Sequence, residues 1–183
     1  IETQTITTVL AQEPPQLDST RTAESISLFV LGHVMEGLLR YDASNRLVPG
    51  VAERWDVRAD GATFWLRDDA RWSDGQSVTA HDFVFAWRTV VDPANASEYA
   101  SILYHVKNAE AINAGQMAPE MLGVTAPSDR VLEVEFERPV SFFDKLVAFG
   151  TYFPVREEFY AGRDGRYGAD VEDLVYNGPF MMT

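Results

Sequence analysis

Few residues in this chain have types and spacings that could do chemistry. His33 and Glu36 stand three apart in an apolar run, which would put both on one helix face as an edge of a metal site. A metal centre needs three or four donors, and no second histidine or carboxylate pair is spaced to complete this one. A histidine packed or solvated within a helix is the better reading. His81 follows Thr79 in what reads as a first helical turn, a surface place, and His105 stands alone. Asp68-Asp69 and Glu157-Glu158 are adjacent, whereas two carboxylates acting on one bond must converge across a cleft. Both pairs read as solvated faces. No serine lies in a G-x-S-x-G elbow or an S-x-x-K pair, and neither phosphate-loop pattern occurs. There is no cysteine, which excludes disulfides, thiolate catalysis and zinc-cysteine sites. Nothing here supports an enzyme: no catalytic residue, metal ligand or cofactor site is assigned.

What the chain has instead is aromatic. It carries 11 Phe, 7 Tyr and 4 Trp, several of them in the stretch RWSDGQSVTAHDFVFAWRTVVDPANASEYAS at 71–101. Most of these rings fall on strand or helix faces and read as core. Tyr99 differs, because it follows the loop DPANASE with no pattern placing it inside. A ring and a hydroxyl there could meet a ligand.

The remaining composition narrows the class. At 183 residues, with 46% apolar and 23% charged, the chain can bury a core as one domain or two small lobes. The net charge of −13 repels phosphates, so nucleic acid and anionic lipid are poor partners. No apolar run approaches the roughly 18 residues that a membrane span needs. Ile1 points to a segment removed upstream, by signal cleavage or by truncation.

The elements follow from periodicity. TQTITTVL at 3–10 predicts a β-branched strand, and EPPQLDST then forbids regular structure. Residues 24–39 predict a helix that is apolar nearly all round and so buried on both sides. Residues 53–68 predict a hairpin about Asp60-Gly61, and Asp74-Gly75 marks another turn. Thr79 and Asp82 form a capping-box-like start for a helix with Phe83, Ala86, Trp87, Val90 and Val91 on one face. Asp92-Pro93 ends it. Residues 99–115 predict one or two short helices closed by Gly115. RVLEVEFE at 130–137 alternates as a half-exposed antiparallel strand. Residues 141–149 predict a short helix, and the final NGPFMMT reads as the opening of another strand.

In linear order, several of these segments resemble a known family. EPPQLDST, HVMEGLLRYD, LVPGVAERW, FWLRDDARWSDGQSVTAHDFVFAW and NGPF follow the pattern of the extracellular solute-binding proteins that feed peptide and nickel ABC transporters. VTAHDFVFAWRTVVDPANASEYASIL, LGVTAPSDRVLEVEF, PVSFFDKLV and FPV most resemble its oligopeptide-binding members. The likeness runs from about Thr3 to Phe180. It implies a mixed α/β fold: lobe one of a two-lobe periplasmic-binding-protein fold, with an inserted α+β subdomain and the second lobe absent, as in an N-terminal fragment. Residues 1–38 and 159–183 would belong to the main part of lobe one, and 39–158 to the insert. It also implies a substrate-binding component that captures extended oligopeptides mainly through backbone hydrogen bonds. The partners would be the peptide and the membrane permease subunits, without nucleic acid. The place would be the periplasm or the cell envelope, with a lipid anchor on the full protein an open option. The ligand-binding positions carried over are Thr22, Ala23, Glu24, Ser25 and Tyr99. The family has a glutamate at the position of Ala23 and favours Asp-Pro at Asp18-Ser19, so a side-chain contact at 23 is lost while backbone contacts survive. Rival readings are another solute of the same family (a dipeptide, nickel complex, murein peptide, haem or sugar), a carbohydrate-active enzyme, or a sensory domain.

Overall fold

The computed structural model describes residues 5–182. In chain order the regular elements are α1 (Ser25–Val34), β1 (Leu39–Tyr41), β2 (Leu47–Pro49), β3 (Ala52–Val57), β4 (Gly61–Leu66), α2 (Ala80–Val91), α3 (Ala109–Asn113), β5 (Val124–Ser128), β6 (Val131–Glu135), α4 (Phe143–Leu146) and α5 (Glu157–Ala161). β1 and β2 form a small hairpin, and the other four strands form an antiparallel sheet in the order β3-β4-β6-β5.

The period-two pattern of β6 sets one face of the sheet. Leu132, Val134 and Phe136 are buried, while Glu133, Glu135 and Glu137 face water. Leu132 lies opposite Phe64 and Val134 opposite Ala62, so the two central strands present one apolar surface. α2 covers that surface. The Asp82 carboxylate accepts the Thr79 N–H at 2.8 Å, the reciprocal half of a capping box, and also accepts the Trp72 indole N–H at 3.3 Å. Phe83, Ala86, Trp87, Val90 and Val91 are all fully buried. Pro93 ends the helix, and the Asp92 carboxylate accepts the Ala94 N–H to start a 3-10 turn, Pro93–Asn95.

Phe143 is the centre of the aromatic core. Its ring lies 4.7 Å from Phe136, 5.9 Å from Tyr152, 6.2 Å from Trp87 and 6.4 Å from Phe64, centroid to centroid. These rings come from β4, α2, the end of β6 and the corner Gly150–Tyr152, so one cluster ties distant segments together.

The two Asp-Gly pairs do different work. Gly75 has φ +89° and makes a tight turn, with its N–H on the Trp72 carbonyl. Gly61 opens β4, where an added Cβ would lie 2.3 Å from the Val134 carbonyl oxygen. It is needed for close strand approach rather than for turn geometry.

Several expectations are corrected. Of the expected strand at 3–10, residues 3 and 4 lie outside the described residues. Residues 5–10 are exposed or nearly so and form no strand, because no partner strand lies beside them. The helix expected over 24–39 stops at Val34. Met35 is extended, the Gly178 N–H bonds the Val34 carbonyl at 2.9 Å, and Asn177 bonds both the N–H and the C=O of Glu36. The C-terminal segment thus caps the helix, and Leu39 passes into β1. That docking also explains why 177–182 is not a strand. α1 is not buried on both sides. Ser27, Leu31 and Val34 face the core, but Phe29 is 49% exposed.

Ahead of α1, residues 17–22 make a tight buried turn. The Leu17 N–H bonds the Gly168 carbonyl, and Gly168, at φ +72°, sits where a Cβ would strike the backbone of Leu17 and Asp18. The carboxylate of Asp18, only 2% exposed, accepts from the N–H and hydroxyl of Thr20 at 2.9 and 2.7 Å. Burial raises its pKa above the usual carboxylate range, against the Thr20 hydrogen bonds and the Arg21 charge.

Two outcomes test this packing. Phe143→Ala should lower the unfolding free energy by about 3–5 kcal/mol in urea titrations, with Phe143→Leu losing distinctly less. Because the folded-state pKa of Asp18 is raised, its favourable contribution is complete below the unfolded pKa of about 3.9 and is lost as pH rises through the folded value. The urea midpoint of Asp18→Asn should therefore gain on that of the parent as pH is raised from 4 to 7; a constant gap would contradict the buried charge.

Candidate functional site

The five residues singled out in the sequence fall into two segments, one just ahead of and into α1 and one beyond the end of α2. Thr22 is buried at 2% exposed; its N–H bonds the Asp18 carbonyl, and its hydroxyl accepts the Glu24 N–H at 3.3 Å. Its side chain therefore orders the segment and faces inward. Ala23 is half-buried, and Glu24 and Ser25 are exposed. Glu24 has extended backbone, φ −69° and ψ 127°, before α1 begins at Ser25. Among the described residues, the N–H and the C=O of Ala23 take no hydrogen bond. Both belong to the short link between buried Thr22 and exposed Glu24 that leads into α1.

Tyr99 is half-buried and meets Phe149 edge to face, with ring centroids 5.6 Å apart. Two routes join it to the first segment. Phe149 leads into Gly150, whose position leaves no room for a Cβ because the Leu28 side chain of α1 would lie 2.9 Å away. The loop ahead of Tyr99 is held by Asn95, which accepts from Arg21 Nε at 2.8 Å and donates to the carbonyl and hydroxyl oxygens of Thr20 at 3.1 and 3.2 Å. Asn95 and Phe149 thus connect the neighbourhood of Tyr99 to the turn before α1 and to α1 itself. For Tyr160, burial first, then the Asp18 charge, hold the phenol pKa above the ordinary value.

Asn95, Arg21 and Phe149 were missed in the sequence. Asn95 carried the one usable signal: an Asn after Asp-Pro-Ala reads as a turn residue, although its 75-residue reach to Thr20 is not a local property. The residues with catalytic side chains do not converge. His33 stacks on Phe29 at 4.6 Å, while Glu36 pairs with Arg67 at 2.9 Å, so the two are parted by the end of α1. His81 is exposed beside Asp129, and burial, with Arg138 adding to it, holds the pKa of His105 below the usual value. Asp69 is paired with Arg67 and Asp68 with Arg130. No group of three His, Asp or Glu among the described residues could hold a metal ion, and no helix among them is long and apolar enough to cross a membrane. A groove lined by Arg58, Asp60 and Glu133, and another lined by His81, Arg88 and Glu157, include none of the five residues. Both carry mixed charge.

Known proteins share this fold. The model of the bacterial extracellular solute-binding proteins, family 5 Middle, matches residues 46–183. The oligopeptide-binding protein OppA of Bacillus subtilis is 38% identical over 93% of this chain and 32% of its own length. The probable deoxycholate-binding periplasmic protein YgiS of Escherichia coli is 39% identical over the same shares. Among solved structures, the substrate-binding domain of an oligopeptide ABC transporter from Bacillus anthracis superposes with a TM-score of 0.94 at 44% identity, covering 96% of this chain and 34% of that one. The chain thus spans about a third of the length of these relatives and corresponds to one lobe of their fold. With its mixed α/β architecture and its family match over most of its length, the chain belongs to the bacterial extracellular solute-binding proteins, family 5.

Proposed function

We propose that this chain forms one wall of the peptide-capturing site in the substrate-binding component of a peptide ABC importer. The observation that carries the reading is the main chain at Ala23, which takes no hydrogen bond among the described residues, with Glu24 extended after it and Asn95 tying the preceding turn to the loop ahead of Tyr99. A peptide laid against residues 22–25 adds a strand, and its amides satisfy the Ala23 N–H and C=O whatever its side chains are. Tyr99 offers an apolar ring edge and a hydroxyl at low entropy cost. Glu24 and Glu98, both exposed next to these groups, favour an ammonium over a carboxylate at this wall. The same preference weighs against a bile acid such as the one in the name of the E. coli relative.

The proposed division puts 1–38 and 159–183 in the main part of lobe one and 39–158 in the insert, and the ties of residues 17, 34 and 36 to 168, 178 and 177 support it. The sheet, α2, α3 and α4 all lie within 39–158, the proposed insert. The protein would act in the periplasm or cell envelope and pass its ligand to membrane permease subunits, changing no covalent bond.

This wall alone holds a peptide poorly. A few main-chain hydrogen bonds contribute about 0.5–1.5 kcal/mol each, against an association cost of about 4–15 kcal/mol. Calorimetric titration of the isolated chain with tri- to pentapeptides should show binding no tighter than about 1 mM, or none. Micromolar binding by the isolated chain would contradict the half-site. The longer protein encoded by the same gene should bind such peptides tightly, with Tyr99→Ala weakening them by about tenfold, the effect of one lost aromatic contact. Binding of deoxycholate with no binding of any peptide would overturn the proposal.

A further inference from the structure

We propose that Asn95 is a positioning residue for peptide capture, holding residues 22–25 in register with the Tyr99 ring. The inference rests on the reading that these two segments grip one extended peptide. Asn95 is 8% exposed and sits at the end of the 3-10 turn that follows α2. Its amide group makes three bonds, one from Arg21 Nε and two to Thr20, across 74 and 75 residues of sequence. These are the side-chain bonds that join the 92–99 loop to the 18–22 turn among the described residues.

From Asn95 a line of hydrogen bonds runs into the proposed peptide-binding segment. Thr20 is bonded twice to the buried Asp18 carboxylate; the Asp18 carbonyl holds the Thr22 N–H; the Thr22 hydroxyl holds the Glu24 N–H. Ala23, between the last two, keeps its own amide groups free. In the other direction, Ala96 follows with φ 54° and ψ 42°, left-handed backbone that residues bearing a Cβ adopt rarely. Such a conformation persists where the surroundings impose it. The left-handed residue redirects the chain toward Tyr99. In the proposed division the two segments belong to different parts of lobe one, so Asn95 is a pin between them.

Amide exchange and peptide binding test this together, in the protein as its gene encodes it. The probe is the tetrapeptide that the parent protein retains most strongly from a degenerate tetrapeptide pool. Asn95→Ala should speed exchange at the Thr22 and Glu24 N–H groups by at least about tenfold and leave Phe64 in β4 unchanged. It should weaken the probe by about tenfold or more, and Tyr99→Ala should then cost less in that background than in the parent, since a displaced ring has less to lose. Asn95→Asp keeps the acceptor for Arg21 and loses the donors to Thr20. It should give intermediate values, and it decides the matter if Asn95→Ala does not fold. Parent-like probe affinity in the folded variants, exchange that rises uniformly, or an undiminished Tyr99→Ala effect overturns the inference. A parent protein that retains no tetrapeptide overturns the capture reading, and the role of Asn95 with it.

Discussion

Trp87 is fully buried, and its indole N–H donates to the Tyr152 carbonyl at 3.0 Å while the Tyr152 and Phe143 rings meet it edge to face. That contact joins α2, α4 and the Gly150–Tyr152 corner to the apolar face of the sheet. A buried indole N–H without an acceptor would be costly, so the corner is held in place by direction as well as by area. Both sides of the Tyr99–Phe149 pair hang from this arrangement. The 92–99 loop leaves from the end of α2, and Phe149 leads into the corner that Trp87 fixes. The Tyr99–Phe149 contact is thus anchored to the aromatic core.

The turn before α1 and the end of α1 are held on a different principle. Their links are polar, directional and far apart in sequence: Asn95 to Thr20 and Arg21, Leu17 to Gly168, Glu36 to Asn177. Those at Thr20, Leu17 and Glu36 satisfy backbone groups, and the bond from Arg21 Nε joins two side chains. Apolar packing tolerates small slips, whereas an amide bonded on three sides does not. A site that reads main-chain atoms needs that kind of fixing, because an N–H displaced by an ångström no longer makes its bond.

What the sequence revealed follows this division. α2, β6 and the β3–β4 hairpin were legible, because cap, periodicity and turn residues agree within each segment. The short 3-10 and α-helical turns over 100–113, closed by Gly115 at φ +72°, were legible for the same reason. The end of α1 was not. Residues 24–39 are helical in pattern throughout, and the helix stops because Asn177 and Gly178, some 140 residues away, take its terminal groups. The apolar surround of α1 predicted burial on both faces, yet only the face with Ser27, Leu31 and Val34 meets core among the described residues. Residues 5–10 of the β-branched segment form no strand and have no partner strand among the described residues, since strand propensity expresses pairing and packing more than an intrinsic backbone preference. Of the candidate site, the individual residues came from resemblance. The contacts of Asn95 and Phe149 that link their two segments were marked by no local pattern.

The opening puzzle of an aromatic-rich chain without reactive groups has a physical resolution in this split of labour. Rings such as Trp72, Phe83, Trp87 and Phe143 supply large buried area in few residues. The proposed peptide wall calls for a pre-formed shape, because ordering a loose segment at the moment of binding would consume the modest free energy that amide hydrogen bonds return. The left-handed backbone at Ala96 and the burial of the Asp18 carboxylate work against the folded state, and the bonds of Asn95 join the two segments that carry them. A chain whose task was only to fold would more simply have placed a glycine at 96 and an uncharged residue at 18.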